Sequence, residues 1–189
     1  PPNDPAHTTI LPFTRMLSGP MDFTPGIFDL NFGKPVEDDP RVQTTLAKQL
    51  ALYVVLHSPI QMAADLPRNY EARPDAFEFI KQVPVDWSES KMLDGYPGEF
   101  AVMARKDRNS DAWFVGAITD EDARSLSLSL AFLDGQFYDA HIYQDGDDAD
   151  WRTHPYRIET LVKRVHRNDT LALDLAPGGG TAIAFKPTE

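Results

Sequence analysis

From residue 82 onward the chain breaks into short strand-like runs, and this punctuation constrains the fold more than any other feature. The runs are EFAVMARK, AWFVGAIT, SLSLSLAF, FYDAHIYQ, YRIETLVKRV, TLALDLA and TAIAFKP, separated by clusters of Gly, Asp, Asn and Pro. In SLSLSL, residues 125–130, the period of two puts Leu126, Leu128 and Leu130 on one face and the serines on the other. Seven or eight short strands at this spacing predict an antiparallel β-sandwich over residues 82–189. TDED at 119–122 reads as a brief capped helical turn, and GGG at 178–180 as a hairpin connection.

Residues 1–81 follow a different grammar. Thr8 or Thr9 can cap a helix with Ile10, Phe13 and Leu17 on one face, ended by Gly19. Pro12 fits in its first turn. A short apolar strand is expected at Met21–Phe23, then a loop with Pro25, Gly26, Gly33 and Pro35 that ends in the acidic EDDPR, residues 37–41. QTTLAKQLALYVVLHSP, residues 43–59, predicts a largely buried helix: Thr44 or Thr45 caps it, Leu46, Leu50 and Val54 recur every four residues, and Pro59 stops it. A shorter helix is expected over Asp75–Lys81. Helix, strand, loop and helix are the units of a parallel α/β sheet, and one such unit cannot close a sheet. Residues 1–81 are therefore expected to be the end of something larger, joined to the sandwich. No initiator methionine precedes PPNDPAHTT, which is expected to be the tail of a longer polypeptide.

A formal charge of −11 and a pI near 4.8 argue against a nucleic-acid partner, because phosphate backbones select for Lys and Arg patches. With no cysteine, disulfides and thiolate metal sites are excluded. The longest apolar run, LALYVVL at 50–56, falls far short of the ~20 residues a bilayer requires, so no membrane span is expected.

Candidate chemistry is sparse. DGDDAD at 145–150 offers hard oxygens to calcium, but a helix-loop-helix calcium loop needs Gly sixth and Glu twelfth, where this chain has Asp150 and Tyr156. A hairpin loop of solvated acids is the expectation. None of His7, His57, His141, His154 and His166 forms an HxH or HxxxH pair, and no GxSxG, P-loop or GxGxxG occurs. Trp87, Trp113 and Trp151 are candidates either for stacking on sugar rings or for the core. In the opening segment, Asp22 interrupts the apolar stretch between Pro20 and Pro25. If Met21–Phe23 is a strand of a parallel barrel, Asp22 lies at its carboxyl end, and Asp4 and His7 lie at that of the preceding one. Both places face the mouth where barrels build their sites. Asp22 and His7 are thus the candidate substrate-binding residues.

The stretches HTTILPFTRMLSGPMDFTPG (7–26), LHSPIQMAADLP (56–67), FIKQVPVDWSESK (79–91), WFVGAITDEDAR (113–124), YQDGDDADW (143–151) and LDLAPGGG (173–180) together resemble glycoside hydrolase family 97 over essentially the whole chain. The resemblance implies an α-glucosidase or α-galactosidase whose paired carboxylates flank the scissile bond. It also implies that residues 1–81 are the end of a (β/α)8 catalytic barrel and residues 82–189 a C-terminal β domain linked to homo-oligomerisation. Calcium is the implied cofactor, held mostly by glutamates upstream, and the catalytic glutamates are implied to lie upstream too. No catalytic residue is assigned within these 189 residues. Family members carry a PPEH loop where this chain reads DPAH, so Ala6 stands where some have Glu, and no ligand role is transferred to that loop. Arg15, in PFTR, is expected to form a structural ion pair in the barrel. The implied setting is a periplasmic or secreted enzyme acting on α-linked oligosaccharides. The alternatives left open are a noncatalytic carbohydrate-binding or oligomerisation module, and a calcium-binding structural domain.

Overall fold

The computed structural model describes residues 3–34, 41–135 and 137–188. Pro35 and most of the acidic run, residues 37–40, lie outside them. Among the described residues, eight strands follow four short α-helices: α1 (His7–Ile10), α2 (Leu46–Val55), α3 (Pro67–Glu71), α4 (Pro74–Gln82), then β1 (Trp87–Tyr96), β2 (Phe100–Asp107), β3 (Trp113–Thr119), β4 (Arg124–Ser129), β5 (Tyr138–Asp145), β6 (Ile158–Val165), β7 (Thr170–Leu175) and β8 (Gly180–Pro187). A six-stranded sheet in the order β1-β2-β3-β8-β5-β6 faces a two-stranded sheet, β4-β7. Every strand pairing among the described residues is antiparallel.

The alternation in SLSLSL does what its period predicts. Leu126 pairs with Leu173 and Leu128 with Leu171, so both strands of the small sheet turn leucines toward the large one. Leu128 and Leu130 are buried and Leu126 is half-buried, while Ser125, Ser127 and Ser129 face solvent. They meet Val102, Trp113, Val115, Tyr138, Ile142 and Phe185 in the core between the sheets.

A second core lies on the opposite face of the large sheet, under α2. All ten residues of α2 are buried, because the helix is covered by the sheet below and by α4 and the N-terminal segment around it. Burying each such leucine contributes about 1.5–3 kcal/mol. Close approach requires Gly116 on β3, where a Cβ would stand 2.5 Å from the Ala51 carbonyl oxygen and 3.0 Å from Val54. Both ends of α2 are satisfied by side chains. Thr45 accepts a hydrogen bond from the Lys48 amide at 3.2 Å, as its N-cap. At the other end, Arg105 of β2 donates through Nε to the Val54 carbonyl at 2.6 Å and through Nη2 to that of Val55 at 3.4 Å. A cation at a helix C-terminus complements its dipole. Burial lowers the Arg105 pKa to about 10, still well above neutrality.

Several expectations require correction. The expected barrel portion is not evident: the described part of residues 1–81 contains no strand, and Met21–Phe23 is coil. Its apolar residues pack onto the β domain instead of a parallel neighbour. The expected helix with Ile10, Phe13 and Leu17 on one face divides into α1 and two 3-10 turns, Leu11–Phe13 and Arg15–Ser18. Pro12 lacks the amide that would continue the α ladder, and Leu17 is left 79% exposed. TDED is a bend, not a helical turn: Asp120 accepts the Asp122 amide with its own side chain, at 3.0 Å. GGG is no hairpin, since β7 and β8 belong to different sheets and the glycines carry the chain between them. The helices expected over 43–59 and 75–81 are present as α2 and α4.

Candidate functional site

Beside the helical face of the domain, three stretches of the N-terminal segment enclose a cavity of about 440 Å3. Asp4 and Thr8 line it from the first stretch, Phe23 and Thr24 from the second, and Arg41 and Gln49 from the third. The middle stretch has no strand partner, so side chains hold it. Gln49 Oε1 on α2 accepts the Gly26 amide at 2.9 Å and the Ile27 amide at 3.2 Å, while its Nε2 donates to Thr44 Oγ1. Tyr70 on α3 donates to the Gly26 carbonyl at 2.8 Å. Asp65 accepts from the amides of Phe28 at 2.6 Å and Asp29 at 2.7 Å, and from Asn69 Nδ2 at 2.6 Å. Partial burial pushes the Asp65 carboxyl up, but these bonds and the Leu66 amide outweigh it and hold the group below the usual carboxylate range.

Asp22 is exposed at the entry to this anchored stretch, and the amide of neighbouring Met21 donates to the His57 carbonyl at 3.2 Å. His7 is exposed at the start of α1, its amide donating to the Asp4 carboxylate at 2.9 Å. Neither side chain lines the cavity, yet their neighbours Thr8 and Phe23 do, so the fold brings the two expected stretches to one place. Arg15 has no acid in its reach among the described residues; its guanidinium donates to the carbonyls of Gly19 and Pro20 at 3.4 and 3.3 Å, closing a turn rather than an ion pair.

Lys48 and Asp145 are buried ionisable groups whose burial the sequence did not signal. Lys48 on α2 is fully buried, and its Nζ donates to the Pro5 carbonyl at 2.8 Å and the Thr119 carbonyl at 2.7 Å. It therefore ties the first loop and the end of β3 to the central helix. Burial drives its pKa from 10.5 down to about 7, against the attraction of Glu121, Asp145, Asp120 and Asp4. A neutral amine has two N–H groups, which matches the two carbonyls in front of it. Asp145, the first acid of DGDDAD, is not solvated as expected. It is buried, and Oδ2 accepts the amides of Ala176 at 2.9 Å and Gly180 at 2.8 Å. Burial raises its pKa from 3.8 to about 7, more than its hydrogen bonds and Lys48 lower it. Asp147 and Asp148 are exposed, whereas Asp150 caps the following turn through the amides of Arg152 and Thr153. Both buried groups bind backbone and serve the architecture. A lysine inside an amphipathic pattern reads as a surface residue, so its role was not visible from spacing.

The tryptophans are decided by burial. Trp113 is 1% exposed, and Trp87 and Trp151 are each 7% exposed. None of the three offers a ring to a ligand, which removes the sequence feature that favoured a sugar-stacking module. Among the described residues no three His, Asp or Glu side chains gather into a metal cage, so this donor set does not fit calcium. Nor is any helix of the described residues long and apolar enough to cross a membrane.

Residues 86–186 match the family model described as "Glycosyl-hydrolase 97 C-terminal, oligomerisation". The chain belongs to glycoside hydrolase family 97. It is 40% identical over 184 residues to a retaining alpha-galactosidase of Bacteroides thetaiotaomicron, covering 95% of this chain and 27% of that protein. It is 34% identical to a probable retaining alpha-galactosidase of Streptomyces bingchenggensis, covering 96% and 26%. A family 97 enzyme of a Pseudoalteromonas species, solved in complex with panose, superposes with a TM-score of 0.97 at 56% identity over 100% of this chain and 30% of that one. This chain thus spans about a quarter to a third of the length of these relatives, and its antiparallel sheets with their few helices match the family's C-terminal β domain.

Proposed function

We propose that this chain is the C-terminal part of an α-glycosidase that hydrolyses α-galactosides or α-glucosides, and that its sandwich joins copies of the enzyme. The observation that carries this is the 40% identity, over 95% of the chain, to a retaining alpha-galactosidase. The likeness to an enzyme solved with panose keeps glucosides beside galactosides as substrates. Residues 82–189 act as the β domain, and residues 1–81 as the segment through which the upstream catalytic barrel continues. Ile60, Met62 and Leu66, exposed at 76%, 54% and 51%, support this, since large apolar side chains so exposed within seven residues are suited to be covered by further chain. The paired carboxylates, and the glutamates that would hold calcium, belong upstream in this reading. A periplasmic or secreted setting is part of the same proposal.

Asp22 and His7 are proposed to touch substrate at the mouth of the complete barrel. Asp22 is exposed and no hydrogen bond to the described residues occupies its carboxylate, which leaves two oxygens for sugar hydroxyls. The test is Asp22→Asn in the full enzyme, assayed on nitrophenyl α-galactoside and α-glucoside. One lost charge-assisted bond, worth ~1.5–3 kcal/mol, lowers kcat/KM about tenfold or more with the melting temperature unchanged. Unchanged activity with lowered stability would make Asp22 a turn residue. Turnover of neither substrate by the unmodified enzyme would overturn the functional reading itself.

A further inference from the structure

The family description gives the domain an oligomerising role without naming a surface, and the sheet edges differ enough to choose one. At one end of the six-stranded sheet, β1 is protected: its pairing with β2 is interrupted by register shifts between Trp87 and Glu89 and between Met92 and Asp94. Such bulges twist an edge out of line and discourage pairing with another chain. At the other end, β6 pairs with β5 through eight consecutive positions without a shift, and its outer edge has no neighbour among the described residues. It contains no proline, and Val162 at its centre is 59% exposed. Alongside runs a groove of about 460 Å3, lined by Glu78, His141, Tyr143, Thr160, Leu161 and Val162. The edges of the two-stranded sheet are shorter, at six residues each.

We propose that two copies of this chain associate by pairing β6 with β6 in antiparallel register about a two-fold axis at Leu161, making one continuous sheet across the dimer. It rests on the oligomerising role proposed above. A two-fold perpendicular to a sheet keeps each side chain on its own face, so it pairs positions an even number of residues apart. Centred on Leu161, it sets Leu161 against Leu161, Thr160 against Val162, and Glu159 against Lys163. Leu161 meets its copy on the face that carries the inter-sheet core, which it already borders. On the other face, each Val162 crosses to Thr160 at the mouth of the groove, covering its exposed side chain. Both Glu159–Lys163 pairings place opposite charges directly across, where they attract. Lys163 blunts this edge toward an unrelated strand, while Glu159 of a second copy neutralises it. The same residues therefore reject other strands and accept this one.

The experiment is sedimentation equilibrium of the polypeptide that contains this chain, with circular dichroism to confirm folding. Lys163→Glu sets Glu against Glu twice and is expected to raise the dimer Kd about tenfold or more, and Glu159→Lys to do the same with lysines. The double exchange restores opposite charges and should return the Kd to within about threefold of the original. Lys91→Glu, on the β1 edge, should change nothing. An assembly that survives both single variants, one that dissociates with Lys91→Glu, or a double exchange no tighter than the singles would overturn the β6 interface while leaving the oligomerising role intact. An unmodified protein that stays monomeric at ~100 μM would overturn both.

Discussion

Replacing Lys48 by methionine keeps a long unbranched side chain in the same space and removes only the nitrogen. Two buried carbonyls, Pro5 and Thr119, then lose the donor that reaches them at 2.8 and 2.7 Å. Each buried acceptor left bare costs about 1–3 kcal/mol. Against this stands the cost of burying an ammonium, and that cost depends on pH. The fall in the Lys48 pKa from 10.5 to about 7 corresponds to roughly 4–5 kcal/mol. Because the folded value is the lower one, between pH 7 and 10.5 the unfolded chain binds a proton that the folded chain does not. Stability contributed by this residue therefore rises with pH across that window and is flat below it. Urea unfolding followed by circular dichroism, at steps from pH 6 to pH 10, measures both proteins under the same conditions. The difference between them cancels the titrating groups that do not interact with Lys48, leaving Lys48 itself and its electrostatic coupling to Glu121, Asp145, Asp120 and Asp4. At pH 6 the methionine variant should be about as stable as the unmodified chain, or more so. By pH 10 it should be the weaker by ~2–6 kcal/mol, the cost of the two bare carbonyls. A stability difference that stays constant from pH 6 to pH 10 would refute the reasoning, because Lys48 would then have the same proton affinity in both states.

Asp145→Asn should behave with the opposite sign. Its folded pKa is raised from 3.8 to about 7, so the folded chain holds the extra proton and stability falls as pH rises through that window. The asparagine variant should lack this decline and gain roughly 4 kcal/mol on the unmodified chain between pH 4 and pH 8, read from the same unfolding curves. Gly178→Ala should lower stability by at least about 2 kcal/mol, because φ is +62° and the new methyl would stand 2.5–2.7 Å from the Trp151 side chain; a melting temperature within a degree of the original would contradict this.

The parts of the fold legible in the sequence are those whose signal is local. Period-two alternation in SLSLSL selected the leucine face, because strand side chains alternate whatever lies opposite. Thr45 at the cap and apolar residues at four-residue spacing fixed α2, since its ends and buried face are written within one stretch. Family membership was legible as well, because it rests on residues in order along the chain. What needed the tertiary structure were the long-range pairings. A sequence shows that GGG is a turn, but not that β7 and β8 lie in different sheets, because strand partners are chosen by packing between distant segments. Met21–Phe23 had the composition of a strand and became coil for want of a neighbouring strand to bond; the Met21 amide donates to the His57 carbonyl, and Gln49, Asp65 and Tyr70 hold the residues that follow, Gly26–Asp29. The placing of Thr8 and Phe23 on one cavity likewise came only from the folded chain. Lys48 and Asp145 show the same limit in their charges. By type both belong on the surface; only the closing of α2 over the sheet removed water from them, and burial in turn set their proton affinities.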